Sequence, residues 1–212
     1  MSDDMNELDL MVGSMFTVLP AEDREAFEEE QAYLADIQEL LREEGVEVDL
    51  LSRPGAQVWE GGVKDFADLY NLRLMAAYLE QGKDIAPILA NGDVGEEPDP
   101  LLAKIWEGDE TTRYSNLINH QAEGGYYLPV DFAEPIWIEW ETEEGDGESD
   151  EDSGDSVVSF GSSIGLQREL TELEQKLTEA GVPARHGAMS CLKVLRQAAD
   201  ASVSNDLPII VW

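Results

Sequence analysis

The sequence predicts an α+β fold: a single compact domain, residues 1–212, with mixed helices and a mainly antiparallel sheet, interrupted by a long acidic loop. Three observations lead there. Segments with helical spacing alternate irregularly with short strand-like runs, without the regular β-α-β march of a doubly wound sheet. Two aromatic or β-branched runs, Ile136–Trp140 and Val157–Phe160, flank a stretch free of Lys and Arg, so they read as hairpin partners joined by that stretch. The chain is 42% hydrophobic, enough for a sizeable core, and shows no repeat at solenoid spacing.

Residues 1–9 are polar and expected to fray. Gly13–Leu19 (GSMFTVL) is β-tolerant and ends at Pro20, which suggests a first strand. Pro20 or Ala21 opens a helix whose early Glu22, Asp23 and Glu25 suit the positive end of the helix dipole. Its apolar positions Phe27, Tyr33, Leu34, Ile37, Leu40 and Leu41 keep helical spacing to the stop at Gly45. Val46–Leu51 alternates apolar and acidic as a half-buried strand does, and Arg53-Pro54-Gly55 is a turn signal. Asp65–Glu80 carries a broad apolar face and reads as a strong helix. Shorter helices follow at Asp84–Ala90, after Pro98-Asp99-Pro100, and within Thr111–His120.

From Gly124 the pattern changes to strands. Tyr126-Tyr127-Leu128 precedes Pro129, which confines this run to a bent edge strand. In Ile136–Trp140, Ile136, Ile138 and Trp140 share one face, and Trp137 and Glu139 the other. GSSIG (161–165) reads as strand, turn and helix cap, with Ser162 or Ser163 capping a helix that runs to about Ala180. A last helix covers Ala188 to about Ser202, and Pro208–Trp212 is a buried terminal strand.

The charge is extreme: 47 acids against 13 Lys and Arg, a net −34. It is also uneven. Residues 1–60 carry −14 and residues 121–154 carry −12, while 155–212 carry only −2. Such a charge repels nucleic acid and anionic membranes and attracts basic proteins. The sequence therefore predicts no direct nucleic-acid contact and no membrane contact. The acidic insert 141–156 is rich in Gly and Ser as well as acids and cannot bury enough apolar surface to offset ordering, so disorder is expected there. Cys191 is the single cysteine, the N-terminal run is acidic where a signal peptide is basic, and no apolar run approaches about 20 residues. These features read as a soluble, cytoplasmic protein.

No motif fixes a chemistry. Asp146, Glu148, Asp150 and Asp152 alternate like Ca²⁺-loop ligands, but the sixth and twelfth positions are Glu151 and Val157 where Gly and Glu are needed. His186 and Cys191 lie five apart, about 140° around a helix, and do not meet. GSSIG has the wrong order of Gly and Ser for a nucleophile elbow. Two histidines separated by 65 residues supply few metal ligands. No catalytic, cofactor-binding or metal residue is assigned, and no cofactor is expected. At least three of the five tryptophans are expected in the core, with Trp59 and Trp137 as exposed exceptions.

The reading is a non-enzymatic acidic binding module of the inhibitor, immunity-type or nucleic-acid-mimic kind, docking a basic protein partner. Candidate contact residues are Trp59, Trp137, Asp131, Glu139, Glu141, Glu143 and Glu144. Two alternatives stay open. One is an ordinary domain acidified for high salt, which the low lysine count (five) fits. The other is a small enzyme using a carboxylate site near His120, Tyr126 or Tyr127, and Asp131.

Overall fold

A computed structural model of the chain describes residues 7–91, 97–140 and 156–212, and among these one sheet carries all six strands. The elements run β1 Leu8–Gly13, α1 Arg24–Glu43, β2 Gln57–Val63, α2 Phe66–Glu80, α3 Ala86–Asn91, α4 Pro100–Trp106, α5 Ser115–Ile118, β3 Tyr126–Leu128, β4 Ile136–Trp140, β5 Ser156–Ser162, α6 Ser163–Glu179, α7 Gly187–Asn205 and β6 Ile209–Val211. The sheet order is β2-β1-β6-β3-β5-β4. Every neighbouring pair is antiparallel except β3 with β5, so the mainly antiparallel α+β expectation holds.

Side-chain alternation splits the core across the two faces of the sheet. Leu8, Leu10, Val12, Tyr127, Ile209 and Val211 point into a large cluster shared with α2 through α7. Leu128, Ile138 and Phe160 point the other way, into a smaller cluster covered by Leu34, Ile37 and Leu41 of α1. Among the described residues the sheet therefore has six helices on one face and α1 alone on the other. The terminal strand β6 sits between β1 and β3, with Ile209 fully buried, as its unbroken apolar run implies.

The hairpin expectation also holds: β4 and β5 pair antiparallel from Ile136↔Phe160 to Trp140↔Ser156. Ser162 caps α6, its Oγ accepting from the Gly165 N–H at 2.8 Å. Asp23, Asp65 and Asp99 cap α1, α2 and α4 in the same way.

Four expectations are corrected. The first strand is Leu8–Gly13, not Gly13–Leu19, and it takes in Leu8 and Asp9 of the stretch expected to fray. In Ser14–Leu19 the backbone donors are consumed locally: Phe16 N–H bonds Ser14 Oγ, and the Thr17 and Val18 N–H groups bond the Glu30 carboxylate, which removes them from any ladder. Val46–Leu51 is not a strand for a similar reason. Leu50 N–H goes to Gln38 Oε1, and the Leu51 and Ser52 N–H groups go to Asp49 Oδ1 in an Asx turn, while Val46 and Leu50 are buried against α1. The edge strand is instead Gln57–Val63, whose Gly61-Gly62 pair hides its strand character. The Trp59 indole lies over Gly61, where an added Cβ would stand 2.6 Å from the ring. Finally, β3 is an interior strand; Pro129 follows its last residue and interrupts no ladder. Of the expected acidic insert 141–156, Ser156 opens β5; residues 141–155, with the Ca²⁺-like spacing at 146–152, lie outside the described residues.

Candidate partner-binding surface

Helix α1 forms because Asp23 satisfies its first donors and its apolar residues recur on one stripe. Asp23 Oδ1 accepts from the Glu25 and Ala26 N–H groups at 3.0 and 3.1 Å. Leu34, Ile37 and Leu41 are buried, and Glu30 is turned inward to hold Thr17 and Val18. The opposite side is acidic. Over 20 residues α1 carries seven carboxylates against two arginines. Both arginines are neutralised within the helix, Arg24 by Glu28 at 2.8 Å and Arg42 by Glu39.

One stripe on that side has a regular content. Glu29, Tyr33, Asp36, Leu40 and Glu43 are all exposed and follow spacings of four and three, so they share one helical face. The three acids repeat every seven residues, about 10.5 Å along the axis. Between them stand Tyr33, 48% exposed, and Leu40, 38% exposed. Partial burial of Tyr33 raises its phenol pKa above the ordinary value, so the ring is neutral. The sequence pattern placed Tyr33 and Leu40 with the apolar residues of this helix. They sit on the border of the buried stripe, about 40° and 60° around the helix from Ile37, which is why periodicity groups them with it.

The residues singled out from sequence do not gather into one patch. Trp137 is 50% exposed on β4 with Glu139 exposed beside it on the same strand face, as expected. That face is the one opposite α1, because Ile136 and Ile138 belong to the α1-side cluster. Trp59 lies on β2, the other edge of the sheet, half-buried against the large cluster. Asp131 is exposed but bound by Arg168 in a bidentate pair at 3.0 and 3.1 Å, and that guanidinium holds its carboxyl below the ordinary range. Glu141, Glu143 and Glu144 lie outside the described residues. The expectation that most tryptophans are core is overturned: Trp106 and Trp212 are exposed as well as Trp137. Trp106 is tethered at its edge by Nε1–H donating to Ile118 O at 2.9 Å, which lets its ring face outward.

The residues of the carboxylate-enzyme alternative are engaged in structure. His120 is buried, stacked on Tyr127 with centroids 3.8 Å apart. Its Nδ1 and Nε2 lie 2.9 and 3.0 Å from the carbonyls of Gln121 and Tyr126, so a neutral ring donates to one of them only. Burial outweighs both carbonyls and pulls its pKa down to about 4. Tyr127 donates to Asn116 O, and burial raises its pKa far above the usual phenol range. Cys191 is buried and its thiol pushed up to about 12 by burial, while His186 caps α7 through Nδ1. Among the described residues no group of three or more His, Cys, Asp or Glu is placed to hold a metal ion, and no helix is long and apolar enough to cross a membrane.

A cavity of about 890 Å³ opens on the helical side of the sheet, between α2, the end of α4, the α5 region and the start of β4. Phe66, Tyr70, Trp106 and Trp137 supply aromatic walls, and Arg73 and His120 lie deeper among its lining residues.

Residues 6–211 of the chain match the family described as "Putative DNA-mimic protein", and the chain belongs to that family. No curated protein and no solved structure matches it.

Proposed function

We propose, on the premise of that family membership, that the protein binds the DNA-binding surface of a basic DNA-binding protein in place of the duplex, presenting the exposed stripe of α1. The observation that carries this reading is the spacing of Glu29, Asp36 and Glu43. Seven helical residues rise about 10.5 Å. Each DNA strand carries one phosphate per 3.4 Å of duplex axis, so the row holds about one charge for every three that a strand presents over the same axial length. A cationic surface built to face a line of phosphates meets regularly spaced carboxylates along one line instead. Glu25, exposed one turn before Glu29, deepens the negative potential, while Glu28 and Glu39 are offset by Arg24 and Arg42.

The mechanism follows from the two side-chain types in the stripe. The carboxylates steer a cationic partner toward the helix and fix its register, which raises the association rate and makes binding salt-sensitive. Tyr33 and Leu40 supply apolar contact that a phosphate backbone lacks. Buried against a partner, they would slow dissociation and let the protein out-compete generic polyanions. Trp137 and Glu139, across the sheet from α1, form a second candidate patch for a partner that wraps around the β4 edge.

The test is capture from a native lysate of the source cells on the immobilised chain at low salt, with elution by rising salt. The eluted proteins are then assayed for duplex-DNA binding. Partners that bind duplex DNA, and that are no longer captured when free duplex is added, support the reading. Partners indifferent to duplex contradict it.

A further inference from the structure

We infer that the cavity beside β4 is a binding site for a small planar aromatic monoanion, whose charge is received by the buried guanidinium of Arg73. This inference does not rest on the reading of α1, which lies across the sheet.

Arg73 is the starting point because its situation is unusual in so acidic a protein. Arg24, Arg42, Arg113, Arg168 and Arg196 each find a carboxylate at the surface. Arg73 is only 5% exposed, and among the described residues no carboxylate pairs with it. It is held by neutral groups: Nε donates to Leu117 O and one terminal nitrogen to His120 O, both at 2.8 Å. Those carbonyls fix the guanidinium without cancelling its charge. A desolvated cation without a counter-ion is costly, and a bound anion would remove that cost.

The surroundings set the rest of the ligand. The volume lies within the range of sites that take small organic molecules. Tyr70 and Trp106, with ring centroids 6.5 Å apart, and Phe66 and Trp137 form aromatic walls suited to a flat ring. Asn119 also lines the cavity, and its Oδ1 is a buried acceptor with no hydrogen-bond partner among the described residues, ready for a ligand N–H or O–H. Glu123 and Glu134 lie among the lining residues as well, which disfavours a polyanion and limits the ligand to a single negative charge that reaches Arg73. The neutral state of His120, beside the guanidinium, leaves Arg73 as the charge that selects the ligand.

The experiment is calorimetric titration of the full chain with 2-naphthoate and with uncharged 2-naphthamide, with tryptophan emission followed in parallel. The expected result is saturable binding of naphthoate, about tenfold or more tighter than the amide, with a change in emission from Trp106 and Trp137. Trp137→Ala weakens both probes, and Arg73→Gln, if folded, abolishes the preference for the anion. Equal affinity for the two probes, or no saturable binding of naphthoate up to about 1 mM, overturns the inference. The comparison of probes on the unmodified chain keeps the test decisive should Arg73→Gln fail to fold.

Discussion

Glu169 and Asn116, 53 residues apart, are locked together: Glu169 Oε1 accepts both the backbone N–H and the side-chain amide of Asn116, at 3.0 and 2.9 Å. Its Oε2 takes Leu117 N–H at 2.9 Å, so one carboxylate on α6 satisfies the first donors of α5. Asn116 passes the connection on, accepting Ser162 N–H at Oδ1 and Tyr127 O–H at its carbonyl. This network seats α5 and the 119–122 loop on the sheet, and so shapes the floor of the cavity.

Burial pushes Glu169 up to about 7, against the pull of Asn116, Leu117 and Arg168. Its unfolded value is the ordinary 4.5, so between pH 4.5 and 7 the folded state holds more protons than the unfolded. Stability from this group therefore falls as pH rises through that window, by about 3 kcal/mol in all. Glu169→Gln should remove that contribution, and so should cost more at pH 5 than at pH 8. Urea unfolding of both proteins across pH 4–8 checks it; parallel pH profiles would count against it.

His120 acts in the opposite direction. Burial holds its folded value near 4 against an ordinary 6.5, so between those values the unfolded state binds more protons and stability rises with pH. His120→Phe keeps a ring against Tyr127 and removes the titration. The stability gap between wild type and this variant should narrow by about 3 kcal/mol as pH falls from 6.5 to 4. A gap that stays constant would show that His120 does not titrate in that range.

The two windows overlap, so wild-type stability should change little between pH 4.5 and 6.5 on account of this pair, and the slopes emerge only in the single variants. That overlap was not legible in the sequence. His120 and Glu169 have ordinary neighbours in the chain, and their burial comes from long-range packing. The helices were legible, because Asp23, Asp65, Asp99 and Ser162 announce their starts and the apolar spacing is regular. The errors at Ser14–Leu19 and Val46–Leu51 share one cause: side chains of Glu30, Gln38 and Asp49 took the backbone donors that a strand needs. The acidic bias was visible, and so was Trp137. What periodicity alone did not separate was the exposed Tyr33 and Leu40 from the buried stripe beside them.

Salt separates a functional charge from adaptation to high salt. Screening of −34 charges should raise the melting temperature up to a few tenths molar NaCl, where the Debye length has fallen to about 5 Å, and then level off. A continued steep rise through several molar would favour the high-salt reading.

The triple variant Glu29→Gln, Asp36→Asn, Glu43→Gln should fold as well as wild type or slightly better, since these side chains are exposed and like-charged. Its affinity for a DNA-binding partner should fall by about tenfold or more, and the slope of log affinity against log salt should flatten. Tyr33→Ala should instead weaken binding mainly through faster dissociation, with the salt slope kept. Unchanged affinity and salt slope in the triple variant would remove α1 from the interface.

The most direct measurement is competition. A fluorescent duplex is bound to the captured partner, the acidic protein is titrated in, and anisotropy is followed. The account predicts that the duplex is released at stoichiometric protein, and that the α1 triple variant releases it about tenfold less well. Retention of the duplex in a ternary complex at saturating protein would contradict it.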